Sequence, residues 1–460
     1  MRIRFLIYAV AALALSVACQ PKDNAEQLEE ATFELGIAVE ENDLTLTVVP
    51  SDDDAVYVAG IIMEDDWKSM GGQDGLVAYI EESISNGGEL VSGAYTKPYG
   101  DLFWQTAYYV YAAQINDGAV FGNPVVEETE IYRPFVEFAP EGFVIPPSAI
   151  SDNGLWVVGC SDVDSYIYDV RRDSLIVING STFYDITDNC VAYGTTPPYP
   201  TIWENGKLSD VKAVPEGSTD CCFFSVTPDG SKAVGYAMVD NTFAPVIYEN
   251  GTISILPHDR TPSGEKPMAG SASRIGSNGY ISGYISDGML ETGCAWTPEC
   301  EYDLYVEDLM VYNDGIDYWE DIYGSQTNYI SPNGKYITSL RTDTGDDGWA
   351  SDMYAYVFDT ETREVYDVPQ MSYRPDYVTS QGLLFLADTE RGVSTQPYVY
   401  DIHTETFSTL ADYAKSNWNY SPEGLTMQGS VVGASEDGKS LLVNFAADDT
   451  YKTAIYFLPR

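Results

Sequence analysis

The stretch that decides the fold is VTPDGSKAVGYAM, which starts at Val226, together with its continuation APVIYENGTISIL, which starts at Ala244. In this stretch a polar turn is followed by an apolar strand, a gap, an aromatic-rich strand and a second turn. Similar phrases start at Ile150 (ISDNGLWVVGCS) and at Ile330 (ISPNGKYITSL). Self-similarity at a spacing of about 40–55 residues predicts an array of small sheets, because one such unit cannot bury its own apolar face alone.

The polar turn recurs seven times, and Asn-Gly and Asp-Gly pairs suit it because they tolerate a positive φ. An aromatic third segment and usually a fourth strand follow each turn. Four antiparallel strands per unit, radially repeated, predict an all-β chain with a seven-bladed β-propeller over residues 129–460. Six blades are the alternative, because the unit at Cys190 is short, and a tandem of sandwiches is less favoured. The turns are Asp152-Asn153-Gly154, Asp188-Asn189-Cys190, Pro228-Asp229-Gly230, Ser277-Asn278-Gly279, Pro332-Asn333-Gly334, Ser380-Gln381-Gly382 and Glu436-Asp437-Gly438.

The last unit lacks an outer strand, because the sequence ends at Arg460, just after its third segment. The segment IYRPFVEF, from Ile131 to Phe138, precedes the first full unit. We expect this segment to complete the last sheet and close the ring, which would remove an exposed strand edge. The repeats resemble the lipoprotein propellers of the broad TolB-like and WD40-like group, with which they share the xPDG element.

A different pattern covers residues 32–128. Alternating apolar residues from Phe33 to Val39 predict a strand with one buried face, and the spacing over Asp74–Ser85 predicts a helix. The pattern Leu102-x-Trp104-x-Thr106-x-Tyr108 resembles the F strand of fibronectin type III domains. The resemblance implies a β-sandwich in which the Tyr108 hydroxyl pins a loop. A generic β-sandwich is the alternative.

The first residues are those of a targeting signal. Arg2 and Arg4 precede an apolar run, Phe5–Ala18, that is too short to span a bilayer. The sequence Ser16-Val17-Ala18-Cys19 resembles the lipobox of bacterial lipoproteins, which implies a signal peptide over residues 1–18 and acylation of Cys19. An ordinary secretory signal is the alternative.

The polar residues 19–31 are expected to form a flexible tether. Their acidic character resembles the surface-export signal of Bacteroidota lipoproteins. That resemblance implies a lipid-anchored protein on the outer face of the outer membrane, with the periplasmic face as the alternative.

The net charge limits the expected binding partners, and the cysteines allow disulfide bonds. The net charge of −48 makes nucleic acid an unfavourable partner, because its phosphates would be repelled. Besides Cys19 the chain has six cysteines, and an exported chain can oxidise them. Cys294 and Cys300 flank the expected turn AWTPE, which predicts that these two form a disulfide.

The connections between second and third strands and between units are expected to lie on one face, opposite the tight turns. They are long, as in residues 195–200, 256–270, 309–325, 342–352, 388–396 and 411–428, and long loops on a rigid scaffold usually carry binding sites. Aromatic rings beside carboxylates suit a sugar, so a glycan or protein ligand is expected there. The predicted ligand-binding residues are Tyr199, Tyr318, Trp319, Asp347, Trp349, Arg391, Trp418 and Tyr420.

Catalytic and metal motifs are weak. The only histidines are His258 and His403, and no nucleophile elbow, phosphate loop or dinucleotide motif is present. We therefore expect no catalytic residue, no cofactor and a non-enzymatic binding role. The alternatives are a carboxylate-dependent enzyme that acts on glycosides and a scaffold subunit of an envelope complex. Asp343-x-Gly345-x-Asp347-Gly348 resembles the start of a calcium loop, but Tyr354 stands where such a loop has glutamate.

Overall fold

The structure is a computed structural model, and its chain divides into two compact units between Arg133 and Pro134. It describes residues 29–138, 147–161, 163–261, 266–286, 288, 291–303, 312–313, 318–319, 329–344, 350–371, 373–388, 397–417, 429–447 and 450–457.

The first unit is built from two three-stranded antiparallel sheets with a helical insertion. One sheet has the order β1-β2-β4 and the other β3-β5-β6. The elements are β1 (Phe33–Glu40), β2 (Asp43–Pro50), β3 (Tyr57–Met63), α1 (Glu64–Ser69), α2 (Gln73–Ser85), β4 (Tyr95–Tyr99), β5 (Thr106–Asn116) and β6 (Ala119–Ile131).

Side chains from both sheets share one apolar core, in which Leu44, Leu46 and Val110 are fully buried. The period-two pattern therefore identified the buried face of β1 at Phe33 and Leu35, whereas Val39 is exposed. The predicted helix is confirmed as α2, which starts one residue earlier and buries Leu76 and Ile80.

The second unit is almost entirely β-structure. Its elements are β7 (Phe135–Phe138), β8 (Pro147–Ile150), β9 (Trp156–Cys160), β10 (Asp164–Asp169), β11 (Ser174–Asn179), β12 (Thr182–Ile186), β13 (Val191–Thr196), β14 (Tyr199–Glu204), β15 (Lys207–Asp210), β16 (Ser218–Val226), β17 (Lys232–Val239), β18 (Thr242–Glu249), β19 (Thr252–Ile255), β20 (Ala269–Ile275), β21 (Ile281–Ser286), β22 (Glu291–Trp296), β23 (Tyr302–Asp303), β24 (Tyr312–Asn313), β25 (Tyr318–Trp319), β26 (Tyr329–Ile330), β27 (Tyr336–Thr344), β28 (Ala350–Asp359), β29 (Val365–Met371), β30 (Tyr373–Val378), β31 (Leu383–Asp388), β32 (Tyr398–Asp401), β33 (Thr406–Thr409), α3 (Leu410–Asn417), β34 (Gly429–Ala434), β35 (Ser440–Ala447) and β36 (Thr450–Phe457).

These strands form seven four-stranded antiparallel sheets within the described residues, plus the small pair β24-β25. Six of the sheets take four strands in chain order, namely β8–β11, β12–β15, β16–β19, β20–β23, β26–β29 and β30–β33. The last sheet has the order β34-β35-β36-β7. Strand β7 therefore comes from the opposite end of the unit's sequence.

The prediction that the segment near Phe135 completes the last sheet is confirmed. Phe135 pairs with Tyr456, and Val136 pairs with Ile455, antiparallel along β36. Val136 is buried, and the Phe135 and Tyr456 rings stack with their centroids 6.1 Å apart. This pairing covers an edge of β36 that would otherwise present unpaired backbone groups.

Two stretches that the sequence predicted as long loops contain regular secondary structure instead. Residues 195–200 contain only a two-residue turn, Pro197-Pro198, between β13 and β14. Residues 410–417 form helix α3, which buries Leu410 and Ala414 against the core between the last two sheets. No helix in the described part of the chain is long and apolar enough to cross a membrane.

Candidate functional site

The recurring turn phrase has one hydrogen-bonding pattern. The Ser151 hydroxyl donates to Asn153 Oδ1 at 2.7 Å and accepts from the Trp156 amide at 3.0 Å. Thr227 repeats this pattern with Asp229 at 2.7 Å and with the Lys232 amide at 3.1 Å. Ser331 and Ser435 do the same in their own turns. A hydroxyl that donates and accepts at once fixes the turn, which explains why Ser or Thr precedes most of the turn phrases.

Neighbouring turns are also bonded to one another. The Asn153 amide donates to Asp188 Oδ1 at 2.8 Å, and the Asp188 amide donates to the Pro228 carbonyl at 3.2 Å. At the other end of the series the Glu436 amide donates to the Asp152 carbonyl at 2.8 Å. The turn of the last sheet is thus bonded to the turn of the first.

The first strand of each sheet carries a β-bulge four residues before the first residue of the turn, wherever its pairing covers that point. The residues skipped in the register are Ser148, Tyr184, Phe224, Ser273, Asp376 and Val432. A bulge re-aims the residues that follow it. The residues directly after these bulges, such as Asp185, Ser225 and Arg274, line a common cavity.

This central cavity has a volume of about 60 Å³ and is lined by the ends of the first strands of all seven sheets and by turn residues Asp152, Pro228 and Pro332. It lies at the turn end of the sheets, away from the face that the sequence had favoured. The charged side chains that line it are Asp152, Asp185 and Arg274.

Asp185 is held by the neighbouring sheet. Its Oδ2 accepts from the Ser225 hydroxyl at 2.7 Å and from the Val226 amide at 3.0 Å, and its Oδ1 accepts from the Ile186 amide at 2.9 Å. Arg274 Nη1 lies 3.9 Å from Asp185 Oδ2. Burial raises the pKa of Asp185, while Arg274 and these hydrogen bonds act in the opposite direction.

Arg274 connects sheets around the cavity. It donates from Nη1 to the Phe224 carbonyl at 3.5 Å and from Nη2 to the Ser148 carbonyl at 3.4 Å. These contacts are long for N–H···O bonds, whose usual distance is about 2.9 Å. The guanidinium therefore spans the first, third and fourth sheets but is held loosely.

Asp152 differs from Asp185 because no hydrogen bond within the described residues reaches its carboxyl group. Burial raises the pKa of Asp152 to about 8, and repulsion from Asp185, Asp188 and Glu436 adds to that rise. The carboxyl group is therefore mostly protonated at neutral pH. A cavity-lining acid with a strongly shifted pKa is a candidate functional group.

Sequence reasoning missed this site. It had taken Asp152 only as a turn residue and had not singled out Asp185 or Arg274 at all. A signal was present, since each of the latter is a lone charge inside an apolar first strand, in TFYDI and in AGSASRI.

Most of the predicted ligand-binding residues lie outside the described residues: Asp347, Trp349, Arg391, Trp418 and Tyr420, and with them Cys19. Tyr318 and Trp319 form β25, paired with β24, and their side chains lie outside the described part. Tyr199 begins β14, is half-buried and does not line the central cavity. Among these predicted residues, the one with a described side chain, Tyr199, therefore lies apart from the cavity.

Other sequence candidates also lie apart from the cavity. His258 Nδ1 is 2.8 Å from the Leu256 carbonyl, and His403 Nε2 is 3.4 Å from the Tyr336 hydroxyl. The described residues contain no group of three or more His, Cys, Asp or Glu side chains placed to hold a metal ion. Part of the calcium-like sequence, including Asp347, lies outside the described residues.

The disulfide predicted between Cys294 and Cys300 is not formed, and both thiols are free. Trp296 pairs with Tyr302, so Cys300 lies within the turn while Cys294 lies further along β22, opposite Gly283. The two cysteines therefore do not face each other across the hairpin. Burial raises the pKa of Cys294 well above its ordinary value, which makes it an inert thiol.

No protein-family model matches the chain, and no curated protein does. Among solved structures, an oligogalacturonate lyase from Vibrio parahaemolyticus is 10% identical, with 71% of this chain and 97% of that chain covered and a TM-score of 0.47. An oligogalacturonate lyase in complex with manganese is 12% identical, covering 66% and 86%, with a TM-score of 0.40. A putative TolB from Agrobacterium tumefaciens is 13% identical, covering 48% and 79%, with a TM-score of 0.33.

These likenesses correct one expectation. The chain was expected not to be an enzyme, whereas the similar structures include oligogalacturonate lyases, which are enzymes. At 10% and 12% identity, neither a reaction nor a catalytic residue is transferred from them. The all-β fold of many small antiparallel sheets stands on the strand pairing itself.

Proposed function

We propose that this protein is a lipid-anchored envelope protein whose seven-bladed propeller binds a glycan or protein ligand at its central cavity. The lipobox-like sequence at Cys19 supports the anchor, and the acidic residues after it support display on the outer face of the outer membrane. The first unit serves as a spacer of fibronectin type III type. Its support is the sheet order β1-β2-β4 and β3-β5-β6, and the Phe103 amide that donates to the Tyr108 hydroxyl at 2.9 Å.

Seven blades are favoured over six by two observations. Seven four-stranded sheets lie within the described residues, and the short unit at Cys190 is one of them, as β12–β15. The bond from the Glu436 amide to the Asp152 carbonyl joins the last turn to the first. A closed ring of this kind is a rigid frame around a central site.

The observation that carries the binding role is the Asp152 carboxyl group, which lines the cavity without a hydrogen-bonding partner among the described residues. Asp152 is half-buried, and a polar group with reduced access to water and no protein partner favours a ligand that supplies the missing bond. A protonated carboxyl group both donates and accepts, which suits a sugar hydroxyl or a peptide group.

The size of the cavity limits how a ligand enters. Since one water molecule needs about 10–15 Å³ of such a cavity volume, a cavity of about 60 Å³ accepts a few water-sized groups rather than a sugar chain. The ligand therefore inserts one polar group beside Asp152, while the rest of it lies outside the cavity.

Binding is tested with the full chain in detergent on a glycan array and in a pull-down from envelope extract. We expect Asp152→Ala to weaken binding to any ligand found by about tenfold, because it removes the inserted group's partner. Glu216→Gln, which changes an exposed acid of the same unit, is the control. Equal binding by Asp152→Ala and the unchanged chain would exclude the cavity as the site.

A second candidate function is a carboxylate-dependent reaction on a glycoside, which one observation favours. Asp152 is mostly protonated at neutral pH and lines the same cavity as Asp185, whose carboxyl group accepts hydrogen bonds, and a protonated acid in such a pair suits general acid catalysis. Release of reducing ends from glycans bound on the array tests it. The reaction is excluded if bound glycans stay intact.

A further inference from the structure

A row of aromatic side chains crosses the second and third sheets away from the central cavity. We call Tyr184, Phe224, Tyr236 and Phe243 the aromatic ladder, and none of the four lines the cavity. Successive ring centroids are 5.4 Å, 5.5 Å and 4.9 Å apart, and the first and last pairs meet edge to face. Edge-to-face pairs at these distances are mutually attractive, so the rings hold one another in place.

The strand register and the bulges place the four aromatic side chains in this row. Tyr184 and Phe224 are the bulged residues of β12 and β16, at equivalent positions of adjacent sheets. Across the third sheet, Tyr236 lies opposite Cys222, and Phe243 lies opposite Met238. Because residues two apart share one face of a strand, these side chains continue a single face outward.

The ladder extends toward the end of the sheet that lies opposite the Thr227 turn. Phe243 is the second residue of β18, which begins after the tight turn at Asp240 and Asn241. Its side chain is 39% exposed, and Tyr184, Phe224 and Tyr236 are half-buried. The ladder therefore presents aromatic surface to solvent on the face where the sequence predicted ligand binding.

A carboxylate flanks the rings. The Tyr236 hydroxyl donates to Asp220 Oδ2 at 2.9 Å, while no described group donates to Asp220 Oδ1. Burial raises the pKa of Tyr236, and the bond to Asp220 raises it further. Asp220 also raises the pKa of Tyr184, and no basic side chain in the described part of the chain shifts the pKa of either tyrosine. The local field thus disfavours an anionic ligand.

We propose that the aromatic ladder binds a neutral glycan, with the apolar faces of the sugar against the rings and a sugar hydroxyl donating to Asp220 Oδ1. This inference rests on the proposed ligand-binding role and names the ligand class and a second contact surface. A protein partner would require apolar or basic complementarity. A sugar alternates apolar faces with hydroxyl groups, which match partly exposed rings beside a carboxylate that has one oxygen open to a donor.

The test uses the full chain in detergent and saturation-transfer NMR with cellohexaose, mannohexaose and xylohexaose, and with hexagalacturonate as the anionic comparison. We expect at least one neutral hexasaccharide to bind more tightly than hexagalacturonate. Phe243→Ala should raise its Kd by about tenfold, because a full ring contact is lost. Asp220→Asn should reduce the ratio between the Kd for hexagalacturonate and the Kd for the neutral hexasaccharide. The substitution removes the negative charge that repels the anionic sugar, while the side chain keeps its shape.

The matched control is Tyr79→Ala, which removes an aromatic ring of similar exposure, 37%, from helix α2 of the first unit. Circular dichroism verifies that each variant is folded. The inference is overturned if no neutral hexasaccharide binds, if hexagalacturonate binds best, or if Phe243→Ala binds like the unchanged chain. Loss of binding in Asp152→Ala alone would keep the proposed central site and reject the ladder.

Discussion

At the scale of single residues, Asp152 links the chemistry of the cavity to stability. Its pKa is about 8 in the folded protein, against 3.8 for the ordinary group, so the folded state binds the proton more tightly than the unfolded state does. The favourable contribution of the protonated group is therefore complete below about pH 4 and is lost as the pH rises through about 8. We expect Asp152→Asn, which cannot ionise, to remove this loss, worth on the order of 1–3 kcal/mol after solvent screening.

Urea unfolding of both proteins at intervals from pH 4 to pH 9 measures this difference. The variant should gain relative stability steadily as the pH rises across that range. Asp54→Asn, at an exposed turn of the first unit, should show no such trend. Parallel stability curves for Asp152→Asn and the unchanged chain would mean that Asp152 has an ordinary pKa.

At the scale of elements, the second strands carry glycines where the first strands bulge. Gly194, Gly235 and Gly283 pair with the residue just before a bulge. A Cβ at Gly235 would lie inside contact distance of the Cys222 carbonyl oxygen. We expect Gly235→Ala to lower the free energy of unfolding by about 2–4 kcal/mol, because backbone must shift to admit the methyl group.

Gly36→Ala is the matched control, since Gly36 also lies within a strand but a Cβ there meets its nearest atom at 3.5 Å. Thermal unfolding of both variants compares the two positions. Similar melting temperatures for Gly235→Ala and Gly36→Ala would contradict a tight approach at the bulge.

The same elements show what the sequence predicts and what it cannot. Local signals consist of neighbouring residues, such as the Ser or Thr and the Asp-Gly pair of a turn. These signals predicted the strands and their order. The bulges and the cavity depend on residues far apart in the chain: Ser148 and Arg274 meet although 126 positions separate them. No local pattern marks such a contact, and the raised pKa of Asp152 arises from burial and from acids of other sheets.

At the scale of the whole molecule, the closure of the last sheet by β7 predicts how the second unit is stabilised. Val136 is buried where β7 pairs with β36, whereas Val177 on β11, the outer strand of the first sheet, is 50% exposed. We expect Val136→Asp to destabilise the protein by about 2–4 kcal/mol, because it places an unpaired charge in an apolar site. Val177→Asp should change the free energy of unfolding by less than about 0.5 kcal/mol.

The decisive measurement compares amide hydrogen exchange in single strands. Since β36 depends on β7 for its outer hydrogen bonds, Val136→Asp should speed amide hydrogen exchange along Thr450–Phe457 more than along β17, whose neighbours on both sides belong to its own sheet. If exchange rose equally in β36 and β17, the substitution would be weakening the unit as a whole. If exchange in β36 stayed as slow as in the unchanged chain, β7 would not be the strand that stabilises the last sheet.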